Sequence, residues 1–120
     1  MTLYLTLENK ELKKLEDVCV GDVVLCDDGT FKPIKNILVI SSYPDFIRFS
    51  DGCSYYISHR MKIKTLTGFK NPQLWDIVEL SGGYTPQIVG IKKIENVMFF
   101  RDILIDGNPI TPDGLVFQYS

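Results

Sequence analysis

Histidine is almost missing from this chain: His59 is the only one in 120 residues. Metal centres that need several histidines, and relays that pass a proton between two, are thereby excluded. Cysteine is scarce as well. Cys19, Cys26 and Cys53 are an odd number, spaced too widely for a zinc knuckle. They read as reduced, half-buried thiols, and neither a metal nor a cofactor is expected. Strong charge of either sign is absent too: 13 basic against 15 acidic side chains leave a net charge of -2. No bulk field therefore draws in nucleic acid or an anionic membrane, and Lys13-Lys14 and Lys92-Lys93 are pairs on solvated faces. No apolar run approaches a membrane span. The start "MTLYLTLENKELKK" has no basic opening followed by an apolar block, so no signal peptide is expected, and the reading is a reducing cytoplasm or a virion. Helical periodicity is confined to "NKELKKLEDV", where Leu12 and Leu15 predict one turn or a loop.

What the chain has is turns. "CDDGT", "FSDGC", "TLTGF", "LSGGY", "IDGNP" and "TPDGL" place Asp-Gly or Gly-containing turns between apolar runs, the grammar of tight hairpins. Between them lie runs rich in β-branched and aromatic residues, such as "TLYLTL", "DVVLC", "KNILVI", "SYYIS", "MKIKTL", "QIVGIKKI" and "GLVFQ". Several alternate apolar and polar residues, as half-buried strands do. With 45% apolar and 23% charged residues the composition is globular. The expectation is one all-β domain over residues 1–120, a sandwich or a compact barrel-like fold.

A repeat lies inside it. "GDVVLCDDGTFKPIKNI" from Gly21 aligns with "WDIVELSGGYTPQIVGIKKI" from Trp75, pairing Asp22 with Asp76 and Gly29 with Gly83. "FIRFSDG" and "FFRDILIDG" follow at the same offset of about 54 residues, the mark of a duplicated unit. Two copies, about 21–52 and 75–107, predict a pseudo-twofold globule, since a solenoid needs more repeats to bury its faces.

These residues resemble a known family. "ELKKLEDVCVGDVVLCDDGTFKPIKNI" is similar to the early part of a Hint domain, the fold of inteins and Hedgehog autoprocessing domains. "YYISHRMKIKTLTGFK" resembles the family's middle block, and "FFRDILIDGNPITPDGLVFQYS" its C-terminal blocks. The resemblance covers essentially the whole chain and implies a pseudo-twofold, horseshoe-shaped fold with internal duplication. It also implies where the chemistry should sit. His59 takes the place of the histidine that polarises the scissile amide, and Tyr56 replaces its threonine partner. Asp102 keeps the acidic place of the penultimate block, whose loop histidine falls near Pro109. The final His-Asn becomes Gln118-Tyr119, and Ser120 stands where the downstream nucleophile would be. "TLYLTL" follows Met1 directly, so the family's Cys or Ser nucleophile falls off the chain. Asparagine cyclisation needs a side-chain amide, which tyrosine lacks. No catalytic residue is therefore expected.

Other candidates rest on the residues alone. Cys53 precedes His59 by six positions, so a Cys-His nucleophile is conceivable; it would need a nearby base and a lowered thiol pKa. An Asp next to Arg101 at a strand start is ordinarily a surface partner or turn former. Asp22 and Asp76, at equivalent places in the repeat, predict a structural role such as capping a turn. Trp75 is expected in the core. Tyr43, Phe46, Tyr55 and Tyr56 are the candidate binding residues, because an outward-facing aromatic set marks an interface.

The function expected is a catalytically inactive Hint-fold module, a structural or protein-binding component, of a phage virion or its assembly. Its partner is another protein or a second copy, with no nucleic acid and no membrane. The alternative is an autoprocessing domain whose nucleophile has been trimmed or replaced. A third reading, a β-barrel binding nucleic acid, needs a basic groove with stacking aromatics and is disfavoured by the acidic balance. The first and last strands, both without charge, are expected to pair with each other and close the fold.

Overall fold

Each glycine turn ends one short strand and starts the next. A computed structural model describes residues 3–119, and within them twelve strands run in chain order. They are β1 (Tyr4–Thr6), β2 (Leu12–Lys14), β3 (Val23–Leu25), β4 (Phe31–Pro33), β5 (Asn36–Ser42), β6 (Asp45–Phe49), β7 (Ser54–Ile57), β8 (Met61–Thr65), β9 (Gly68–Lys70), β10 (Ile88–Lys93), β11 (Met98–Leu104) and β12 (Phe117–Tyr119). The segment with helical spacing gives only β2 and a single 3-10 turn, Leu15–Asp17. The fold is all-β, and its extents of 35 × 34 × 23 Å make it a thick disc.

Two long antiparallel pairings organise the disc. β5 pairs with β11 over seven residue pairs, from Asn36–Leu104 to Ser42–Met98. β6 pairs with β10 on one side and β7 on the other. At the offset of the sequence repeat, β5 corresponds to β10 and β6 to β11. Each half thus lends one strand to the other half's strand, an exchange that locks the two together.

The local hydrogen bonds recur at the same offset. Gly21 N donates to Ile34 O at 2.9 Å, and Trp75 N to Ile88 O at 2.8 Å. Ile34 N donates to Asp22 O, and Ile88 N to Asp76 O, both at 2.8 Å. The Asp22 carboxylate accepts from Cys19 N at 2.8 Å and from Lys13 Nζ at 2.9 Å. The Asp76 carboxylate accepts from Gln73 N at 2.8 Å and from Lys70 Nζ at 3.1 Å. Val24 and Val78, Ile34 and Ile88 fill matching places in one core, with Leu5, Ile47, Ile57, Ile63, Leu115 and Phe117 around them.

Two expectations fail. The first and last strands do not pair. β1 closes a local hairpin with β2, and β12 lies on β8, with Phe117 opposite Ile63 and Tyr119 opposite Met61. The short turn at Leu7–Glu11 makes the local partner the one with the smaller loop-closure cost. Trp75 is also not in the core. It stands at the place of Gly21, where the chain turns outward, and is 60% exposed.

Candidate functional site

β7 ends in the turn Ser58–His59–Arg60 before β8 begins. Ser58 is buried and its carbonyl accepts from Met61 N at 3.1 Å, which tightens the turn. His59 is left at the surface, while Arg60 reaches towards β11. Its Nε lies 3.3 Å from Oδ2 of Asp102, whose side chain is only 5% exposed. Among the described residues neither oxygen of Asp102 has a hydrogen-bond partner. Burial pushes this carboxyl above the usual range, opposed by the positive charge of Arg60 and by His59.

β12 forms the other wall. Tyr119 sets its ring edge-on to Phe117, centroids 5.8 Å apart, and donates its hydroxyl to Arg101 O at 3.3 Å. Burial raises this hydroxyl well above its ordinary pKa, and the negative charge of Asp102 adds to the effect. Arg60, Asp102 and Tyr119, with Leu38, Ile103 and Leu104, line a cavity of about 440 Å³. The walls are mostly apolar and the polar groups gather at Arg60 and Asp102, the usual make-up of a small-ligand site. A carboxyl placed so keeps its proton to higher pH than a surface acid does, and Arg60 compensates the charge left when it gives the proton up.

The structure thus brings together Asp102, Tyr119 and the turn carrying His59. Gln118 sits beside them in β12, half-buried opposite Lys62. Asp102 is no surface partner at a strand start: it is the fifth residue of β11, opposite Leu38 across the ribbon, and it is buried together with its neighbour Ile103. Ser120 lies outside the described residues. Arg60 escaped the sequence reading. Its one available signal was its place next to the sole histidine.

Cys53 is not part of this site. β7 runs between Cys53 and His59, putting roughly 15–20 Å of extended chain between them. The thiol is pushed up by burial and by the carboxylates Asp51 and Asp113, the opposite of an activated nucleophile. Cys53 and His59 thus stand at the two ends of β7, and the structure does not bring them together. No three His, Cys, Asp or Glu among the described residues are placed to hold a metal ion.

The aromatic candidates divide. Phe46 and Tyr56 are cross-strand partners in β6 and β7, half-buried, with ring centroids 4.7 Å apart. Tyr43 stands in the β5–β6 turn, 64% exposed. Tyr55 points the other way. It is buried edge-on to Phe49 and donates its hydroxyl to Asp113, so it belongs to the core and not to an outward set. Burial comes first, then Asp113, in raising its pKa.

No protein-family model matches the sequence, and no curated protein matches it. Solved structures do. The chain superposes on the gp41-1 intein with a TM-score of 0.83 at 17% identity, covering 99% of this chain and 94% of that one. It is similar to the Msm DnaB1 intein splicing domain bound with zinc, with a TM-score of 0.76, 20% identity, and 99% and 97% coverage. A DnaB intein from Synechocystis sp. PCC 6803 gives 0.77 at 14% identity, with 99% and 95% coverage. At such identities the likeness is one of fold, and it extends over the full described chain: this protein has the Hint-like fold of the intein splicing domains.

Proposed function

We propose that this Hint-fold chain does not splice, and that it serves as a structural or protein-binding component, of a phage virion or its assembly. The observation that carries the reading is Tyr119. It stands where the resemblance puts the cyclising asparagine, and its ring is fixed in β12 between Phe117 and the Arg101 carbonyl. A tyrosine has no side-chain amide to attack its own carbonyl. The raised thiol of Cys53, far along β7 from His59, offers no substitute nucleophile. Of the four aromatic candidates, Tyr43 on the β5–β6 turn is exposed, and Phe46 beside it is half-buried, which leaves this corner as the candidate partner surface.

The test is intact-mass spectrometry after hours with thiol and with hydroxylamine. One species of unchanged mass is expected. Specific backbone cleavage that disappears in Cys53→Ala or His59→Ala would overturn the reading.

A second reading, an autoprocessing domain with an altered nucleophile, is favoured by one observation. Asp102 is kept, buried, and charge-matched by Arg60 at the cavity. Fusing a peptide that ends in cysteine ahead of Thr2 separates the two. Hydroxylamine cleavage at that junction, lost in Asp102→Ala or His59→Ala, would establish a competent site, and a stable fusion speaks for the non-splicing module.

A further inference from the structure

Asp102 is the one buried carboxyl among the described residues, and neither of its oxygens has a hydrogen-bond partner. An ionised carboxylate accepts at about four lone-pair positions. Arg60 Nε, 3.3 Å from Oδ2, brings charge but no hydrogen bond of good geometry. Buried acceptors left in this state are rare, and each calls for a reason. Stability supplies none. Burial raises this carboxyl's pKa in the fold, so its charge works against folding.

The acid opens on the cavity of about 440 Å³. Ile37, Leu38, Ile103 and Leu104 make the walls apolar, and Leu38 and Leu104 stay largely exposed, outside the core. The remaining polar side chains of the lining are engaged elsewhere. Asn36 Oδ1 accepts from Ile37 N at 2.9 Å, and the Tyr119 hydroxyl donates to Arg101 O at 3.3 Å. An ordered water needs several polar partners, and this cavity gathers its own at one end. Its size and make-up suit an organic group with one polar head.

The charge of that head follows from what surrounds Asp102. Arg60 and His59, on the β7–β8 turn, both favour the ionised carboxyl, yet burial outweighs them together. β5 brings no ionisable side chain, and the Tyr119 hydroxyl on β12 holds its proton well above its ordinary pKa. Arg101, next in β11, is turned to Val18 O at 2.8 Å. The carboxylate is therefore under-compensated, and a compact cation bearing N–H donors meets both its needs.

We propose that the Asp102 cavity binds a primary alkylammonium group, its N–H donors on the Asp102 oxygens and its aliphatic chain against Leu38 and Leu104. A free amine and a lysine side chain of another protein share this chemistry. The site does not depend on whether the chain splices. Calorimetry on the full chain at pH 7 tests it. Isopentylamine should bind with a Kd of about 1 mM, a strength that a ligand of this size reaches. 3-Methylbutan-1-ol, with the same body and no charge, should bind at least about tenfold more weakly. Nα-acetyl-lysine methylamide distinguishes the sources: affinity equal to that of isopentylamine assigns the site to a lysine side chain, and a weaker one assigns it to a free amine. Asp102→Asn keeps the shape of the side chain and should weaken the amine about tenfold or more. Asp106→Asn, at the surface beside Lys35, should change nothing. The ammonium stays charged to about pH 10, whereas Asp102 must give up its proton to accept it. Affinity should therefore rise between about pH 4 and about pH 8, and His59→Gln should show the same rise, which assigns it to the acid. The proposal is overturned by no binding at about 50 mM amine, by an alcohol that binds as well as the amine, or by an Asp102→Asn chain with the parent's affinity. Intact mass on the same samples keeps the two questions apart: self-cleavage counts against the non-splicing reading, and an uncleaved chain that ignores the amine counts only against the ammonium site.

Discussion

Burial makes the charge of Asp102 costly. In the unfolded chain its carboxyl titrates near 3.8, and burial in β11 raises that value in the fold despite Arg60 and His59. The native state therefore holds the proton to higher pH than the unfolded state does. The stability linked to the protonated form is fully present below about pH 4 and is lost as pH rises through the raised folded value. Asparagine cannot ionise. Asp102→Asn should then melt about 2–5 °C above the parent at pH 7, with the gap closing towards pH 4, in midpoints taken across that range. A variant less stable than the parent at pH 7 would mean that the pair with Arg60 outweighs desolvation. The resemblance already marked Asp102 and His59 in the sequence. Arg60 was not legible, because whether a turn residue reaches a buried acid depends on which way the turn points, and no periodicity records that. Trp75 misled for a related reason: its type speaks for the core, whereas its backbone place is dictated by the frame it shares with Gly21.

At the scale of elements, the turn chemistry was the most legible part. Asp-Gly and Gly-Gly steps divide the chain into its short strands, and the paired roles of Asp22 and Asp76 follow from the repeat. Which strands pair across the molecule was not legible, since β12 has the same apolar character whether its neighbour is β1 or β8. Two glycines measure how tightly the turns are held. A Cβ on Gly21 would meet nothing within 4 Å, so Gly21→Ala pays only for its φ of 92°, about 1–2 kcal/mol. Gly114, at φ 94°, would bring a Cβ to 2.9 Å from Ser81 O, and that carbonyl is backbone that cannot swing aside. Ser81 N donates to Gly114 O at 2.9 Å, so the clash also strains the tie between the two turns. Gly114→Ala should cost about 1 kcal/mol or more beyond Gly21→Ala in chemical denaturation, the usual range for overpacking at a fixed contact. Equal costs would show that the C-terminal turn yields more easily than its contacts imply.

Over the whole molecule, the order of motifs carried the fold where no single motif did. The strand exchange between β5–β11 and β6–β10 then makes the halves depend on each other, and the C-terminal segment is what caps them. Ile110 bridges to Val116, Lys64 N donates to Val116 O at 3.0 Å, and Phe117 fills the centre of the core. Val116 itself is 2% exposed. An aspartate there would be a buried charge, costing several kcal/mol against a total stability of roughly 5–15 for a domain of this size. Val116→Asp should therefore lack a cooperative thermal transition at 25 °C and above, and should give the circular dichroism of an unfolded chain. β12 pairs with β8 and is tied as well by Phe117 N donating to Pro109 O at 3.2 Å and by Tyr119 to the Arg101 carbonyl, so its loss opens the cavity at Asp102 and Tyr119 to water. A Val116→Asp chain that kept the parent's midpoint while failing to bind a partner would instead make the last strand an outward face, and the site at Asp102 would have to be closed by something other than this strand.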